Sequence, residues 1–224
     1  MKLSPRQKLT LTIVFAFLTV VVAAIFFITL PAPVDRKLHS EIGKALATEA
    51  SALLRPGAKV TLITRDTATF PQPALDVLIK SFERNINRNT QVAKLTVAVD
   101  PLRPASVPPG DFFELLRKSK PDDVVVSLLG PPVLSDQQRF MLGGVQAKVI
   151  ALCNGGMSAN LNLRSLFDAG LLHAAVVSRQ FAPTKTDTQR QIPRDFANLY
   201  QTYNAKELAT LPTPAASALV DAHL

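Results

Sequence analysis

Few residues of this chain are of a type that does chemistry, and most of them stand alone. The single cysteine, Cys153, closes an apolar run and is followed by Asn154 and the pair Gly155-Gly156. A thiol attacks only as the thiolate, so it needs a lowered pKa and a base within reach. Of the three histidines, His173 is nearest in the chain, but its position predicts the start of a later strand. The expected state of Cys153 is therefore a buried, inert thiol at a strand end. His39, His173 and His223 form no ligand pair at helical spacing, so no metal is expected. Around the glycines there is neither G-x-G-x-x-G nor Walker A spacing, and Asn160 stands where a G-x-S-x-G elbow built on Ser158 needs its last glycine. The loop reads as a strand-to-helix turn, with Asn154, Ser158 or Asn160 available as caps. No cofactor is expected.

A second set of polar residues follows the apolar runs. Thr64, Arg65, Asp66 and Thr67 come after the first, Asp100 and Arg103 after the second, Gly130 after the third, and Asn154 after the fourth. If the runs are parallel strands, these residues meet at the carboxyl edge of a sheet, where open α/β folds bind ligands. An arginine with hydroxyls and backbone N–H groups suits a carboxylate or phosphate. The candidate ligand residues are Arg65, Asp66, Thr67, Asp100 and Asn154. The plainer alternative is that Arg65 and Asp66 are solvated loop charges.

The elements that must position them alternate. The β-rich run Lys59 to Thr64 precedes a stretch from Ala74 to Asn87 with Leu75, Leu78, Ile79, Phe82 and Ile86 at helical spacing, and Leu95 to Val99 is again a strand. A helix from Asp111 follows, with Asp111 and Glu114 at capping-box spacing, then the strand Asp123 to Leu129. Ser135 and Gln138 open the next helix and Gly143-Gly144 should end it. The strand Lys148 to Cys153, a helix near Asn160 to Asp168 and a short strand from Ala174 to Val177 complete the series. Apolar runs without in/out alternation are strands covered on both faces. The expectation is a doubly wound, mostly parallel five-stranded Rossmann-like α/β domain, flavodoxin-like or like one lobe of a binding protein, in the order 2-1-3-4-5. Asp195 to Asn204 is expected as a short helix, and the Pro/Ala-rich tail as mobile.

The N-terminus bounds the setting. From Leu9 to Leu30 there are 22 residues without a charge, Gly or Pro, roughly 33 Å as a helix and enough to cross a bilayer. A cleaved signal peptide is the alternative; the length of the run and Phe26, Phe27 and Ile28 before Leu30-Pro31 favour a retained anchor. Lys2, Arg6 and Lys8 precede it, so the N-terminus is expected in the cytoplasm and the rest outside, in a bacterium as a single-pass inner-membrane protein with a periplasmic domain. Setting those three cations aside leaves 22 of the 25 basic residues against 17 acidic ones, spread without a run of five like charges. No nucleic-acid partner is expected. The organisation reads as a cytoplasmic tail (1–8), transmembrane helix (9–30), linker and connecting helix (31–57, with Ser40 to Leu54 helical), α/β domain (58–180) and C-terminal extension (181–224).

In the order of its elements the chain resembles the first lobe of the type I periplasmic solute-binding proteins. The resemblance rests on KVTLITRD, FPQPALDVLIKSFERNINR, KLTVAVDP, PDDVVVSLLGPP and AKVIALCN, and covers Lys59 to Asn154. It implies a shared fold. Those proteins enclose ligand between two lobes, and the seventy or so residues after Asn154 do not build a second. The expected function is a non-enzymatic component or scaffold of a membrane assembly, with other membrane or envelope proteins as partners. The alternative is a tethered module for a small-molecule or anionic ligand.

Overall fold

The computed structural model describes residues 12–22, 34–68, 71–87, 89–99, 106–143, 147–154, 162–179, 195–205 and 207. Two compact units result, Met1–Val34 and Asp35–Leu224. In the first, residues 12–22 form helix α1, whose side chains are exposed but for half-buried Val21. Eleven residues rise only about 16 Å, and among the described residues no helix is long and apolar enough to cross a membrane. The rest of the apolar run Leu9 to Leu30 lies outside the described residues.

The second unit begins with α2 (Arg36–Leu53), capped by Asp35, whose carboxylate accepts from Leu38 N at 3.0 Å. There follow β1 (Val60–Arg65), α3 (Pro73–Asn85), β2 (Val92–Val97), α4 (Pro109–Lys118), β3 (Val124–Ser127) and α5 (Asp136–Leu142). Then come β4 (Lys148–Cys153), α6 (Leu163–Asp168), β5 (Ala174–Ser178), α7 (Phe196–Leu199) and β6 (Tyr200–Asn204). The sheet order is β2-β1-β3-β4-β5-β6, with β1 to β5 parallel as expected and β6 antiparallel to β5.

Alternate side chains of each central strand feed two cores, which is why the runs are apolar throughout. Val60, Leu62, Val124, Val126, Ile150 and Leu152 pack under α2 and α3 with Ile42, Leu46, Leu78 and Phe82. Ile63, Val125, Val149 and Ala151 face the other way, onto Phe112 and Leu116 of α4 and Leu163 of α6. The order reverses between β1 and β3, so the helix leading to β2 and those leading outward to β4 and β5 cover opposite faces.

Several local expectations change. The sheet has a sixth strand where a helix was expected over Asp195 to Asn204. Asp195 caps only one turn by accepting from Asn198 N at 2.9 Å, and Tyr200 to Asn204, rich in residues that suit a pleated surface, then pairs with β5. Strand β2 begins three residues before Leu95 and ends at Val97. The Asp111–Glu114 capping box is absent: α4 starts at Pro109, whose fixed φ suits a first helical position, and no side chain caps it. Glu114 pairs instead with Arg117 at 2.8 Å. The box on α5 forms as expected, Ser135 Oγ accepting from Gln138 N at 3.2 Å and Ser135 N donating to Gln138 Oε1 at 2.9 Å. Gly143 ends that helix at φ +69°, a conformation that suits glycine. The cap of α6 is Asn162, accepting from Ser165 N at 3.1 Å, rather than Asn154, which follows β4 directly; Ser158, Asn160 and the Gly155-Gly156 pair lie outside the described residues.

Candidate functional site

The carboxyl edge of the sheet is built by the ends of β1, β3 and β4. Pairing fixes their heights: Ile63 stands beside Ser127, and Ser127 beside Ala151. Asp66 and Asn154, each three residues further on, therefore leave the sheet at one level, two strand spacings or about 10 Å apart. Arg65 and Asp66 are thus on the same edge as Asn154, at the point where the strand order reverses. Asp100 and Arg103 lie outside the described residues.

The groups on this edge are unequally committed. Asp66 belongs to its own turn: its N–H donates to Val97 O at 2.9 Å and its carboxylate accepts from Ala68 N at 2.9 Å. Thr67 is half-buried beside it, and Asn154 is exposed. By contrast, the Oγ1 of Thr64, a residue 4% exposed, and the Nε of Arg65 are buried without a hydrogen-bond partner. An unpaired buried polar group costs about 1–3 kcal/mol. Strand alternation sends Thr64 toward α2 and α3 and Arg65 toward α4, so the two serve opposite faces of the edge. Between them Ser127 turns its hydroxyl on its own backbone, accepting from Leu129 N at 3.3 Å, and Gly130, at φ +92°, carries the chain into buried Pro131 and Pro132.

Cys153 closes β4 at zero exposure, and burial pushes its thiol up to about 12. It is paired with Val177, whereas His173 lies before β5, its N–H donating to Val149 O at 2.8 Å and its Nδ1 accepting from Val149 N at 3.2 Å. Four strand residues, about 13 Å, separate the two levels. Among the described residues no base approaches the thiol, and its burial at a strand end is as the sequence suggested. Burial, and after it the charge of Lys148, lowers the His173 pKa below its usual value. Among the described residues no three His, Cys, Asp or Glu side chains gather into a metal site.

Two cavities are also present, one at the opposite end of the sheet and one that reaches the carboxyl end of β2 at Val97, level with Arg65. One of about 490 Å³ sits at the amino end of β1, between the turns after α2 and α3, with Arg55, Lys59, Asn89 and Thr90 in its wall. The other, about 440 Å³, runs along the free side of β2 beneath α4. The sequence signal for the second was in the stripe Asp111, Glu114, Leu115 and Lys118, one helical face carrying a single apolar residue between opposite charges.

A further surface feature is apolar. On α5, which buries none of its residues, Phe140 is 88% exposed, and Met141 and nearby Val133 are more than half exposed.

No protein-family model and no curated protein sequence matches the chain. Solved structures similar to it include an ABC transporter solute-binding protein from Burkholderia graminis C4D1M in complex with D-arabinose, 15% identical, covering 78% of this chain and 62% of that one, with a TM-score of 0.49. A sugar-binding protein of a sugar ABC transporter from Bacillus halodurans is 12% identical over 77% of this chain and 64% of its own, with a TM-score of 0.49. A periplasmic ribose ABC transporter protein from Conexibacter woesei DSM 14684 is 13% identical over 77% and 59%, with a TM-score of 0.48. These are proteins of the group that Lys59 to Asn154 resembles, and the chain spans less than two thirds of the length of each.

Proposed function

We propose that this chain is a non-enzymatic component or scaffold of a membrane assembly, an α/β domain held outside the cytoplasm by the apolar run Leu9 to Leu30. The observation that carries the reading is the apolar surface of α5. A chain able to bury two full cores leaves Phe140 and Met141 in water, on a helix that touches the core only through half-buried Leu142 among the described residues. Exposed apolar clusters of this kind mark contact sites. The buried thiol of Cys153, which no base approaches among the described residues, is in keeping with a role that needs no nucleophile.

A photocrosslinking residue at position 140, in the full chain in its native membrane, tests this directly. A discrete crosslinked protein, absent when the probe is moved to solvent-facing Glu83, is the expected result. Equal, diffuse labelling from both positions would remove the reading.

A second reading is favoured by a different observation, the unpartnered Thr64 Oγ1 and Arg65 Nε at the point where the strand order reverses. It is a tethered module whose edge residues Arg65, Asp66, Thr67, Asp100 and Asn154 hold a small polar or anionic ligand. The sugars bound by the similar structures make pentoses and hexoses the first compounds to try, beside phosphate and carboxylates. A ligand at a hundred times its Kd adds about 2.7 kcal/mol, a rise in melting temperature of roughly 5–10 °C for a domain of this size. A rise of that order that disappears in Arg65→Ala supports the module; a melt that no compound moves removes it.

A further inference from the structure

β2 has a strand neighbour on one side only. Its outer N–H and C=O groups face no strand among the described residues, and an open edge of this kind is a template for another strand. Beside that edge lies the groove of about 440 Å³, walled by Leu95 and Val97 of β2 and by Asp111, Glu114, Leu115 and Lys118 of α4. Positions 111, 114, 115 and 118 form one helical stripe, and neither Leu95 nor Leu115 is buried. The one charged side chain of β2, Lys94, does not guard the edge. It is held by Glu83 of α3 at 2.7 Å, on the opposite face of the sheet.

We propose that this flank pairs with the same flank of a second copy of the chain, β2 against β2 antiparallel, about a two-fold axis perpendicular to the sheet. The charge pattern selects this occupant. Such an axis leaves α4 on its own face and sets it antiparallel to its copy, so the acidic start of one helix, Asp111, meets the basic end of the other, Lys118. Leu115 packs between them. α4 buries Phe112 and Leu116 against Ile63 of β1 as well as Val97 of β2, and a helix centred between those two strands lies one strand spacing from the axis, so the two helices stand about 10 Å apart, the spacing at which helices pack. With Leu95 on the axis, Lys94 stands opposite Thr96 of the second copy and Ala93 opposite Val97, so no like charges meet across the strands. Within its own helix Glu114 holds Arg117 at 2.8 Å and, more loosely, Lys118 at 3.5 Å, and the ammonium of exposed Lys118 has donors left for Asp111 of the second copy. Six strand residues span about 20 Å, and one strand plus one helix is at the small end of known interfaces. The dimer is accordingly weak, and a membrane tether would raise its local concentration. The inference adds a partner to the assembly reading without resting on it.

The test uses the full chain in detergent, followed by light scattering from about 1 μM to about 1 mM, a range that reaches the weak affinities of small interfaces. Cys153 is buried, so Leu95→Cys supplies the one reactive thiol, and mild oxidation should give a two-copy product. Asp111→Lys and Lys118→Asp should each weaken self-association at least tenfold, and the two together should restore it. All three positions are partly or fully exposed, and unchanged melting of each variant controls for folding. A chain that stays single at the highest concentration and gives no Leu95→Cys product overturns the proposal. So does association indifferent to both charge reversals, as association through Leu9 to Leu30 would be, and so does a single chain that captures an extended peptide on β2.

Discussion

The two faces of the sheet are built to different standards. On one lie α2 and α3, 18 and 13 residues long, so close that a Cβ on Gly43 would sit 2.3 Å from Leu78 O. A polar seam rivets them, Ser81 Oγ donating to Ser40 O at 2.6 Å and accepting from Ser40 Oγ at 3.1 Å. On the other face the helices have 10, 7 and 6 residues, and the middle one buries nothing. Both faces bury a core, with Phe82 under one and Phe112 under the other, but the long, close-packed helices lie on the α2–α3 face, and surface left free for contact lies on the α4–α5 side.

The substitutions that break this contrast most sharply are on the first face. Phe82→Ala, at zero exposure, should cost about 3–5 kcal/mol. Gly43→Val should cost about 3 kcal/mol or more, because Leu78 O and Phe82 N are backbone atoms that cannot step aside. Urea unfolding of the Asp35 to Leu224 fragment reads both, and a loss below 1 kcal/mol for either would erase the distinction between the faces. Thr64→Val sharpens it from the other direction. Removing an unpaired buried hydroxyl should raise stability by about 1 kcal/mol, whereas a loss would show that the hydroxyl has a partner.

Two titrations follow, of opposite sign. His173 is lowered in the fold, so as pH falls the unfolded chain takes up its proton first. The stability it supplies is complete above its ordinary value of 6.5 and is lost as pH falls below it; His173→Gln should flatten unfolding midpoints between pH 7.5 and 5.5. Glu49, on α2, is raised, first by burial, against a hydrogen bond from Asn204 that opposes it, and also by the charge of Glu207. Its ionisation therefore costs stability as pH rises from 4.5, and Glu49→Gln should give a small increase in melting temperature at pH 7. Smallest of all, Phe140→Ser should move stability by no more than about 0.5 kcal/mol while abolishing the crosslink from a probe placed at exposed position 141; a large loss of stability would mean that Phe140 belongs to the core after all.

What the sequence made legible was whatever is decided within a few residues or by burial alone. The runs at Val60, Val124 and Val149 announced strands covered on both sides, Ser135 and Gln138 announced a helix start, and Cys153 sat where an apolar strand would bury it. The start of β2 was hidden because an edge strand tolerates Lys94 and Thr96 in water. The turn into β6 was hidden because Tyr200 to Asn204 becomes a strand only through β5, more than twenty residues away. Arg65 could be placed at a strand end from the sequence; whether its Nε finds a partner depends on neighbours that no local pattern encodes.

The contact between Glu41 and the N–H of Phe196, at 3.3 Å across 155 residues of chain, also bears on the timing of folding. Helices α2 and α3 and the strand between them, β1, are made early and can meet early, being close in sequence. Closure of α2 against α7, and with it the last edge of the sheet, must wait until residue 204 has emerged. Long-range closures of this kind are slow steps, so a chain halted near residue 195 would hold its five parallel strands with α2 incompletely fastened, and synthesis of β6 would set the pace at which the sheet is completed.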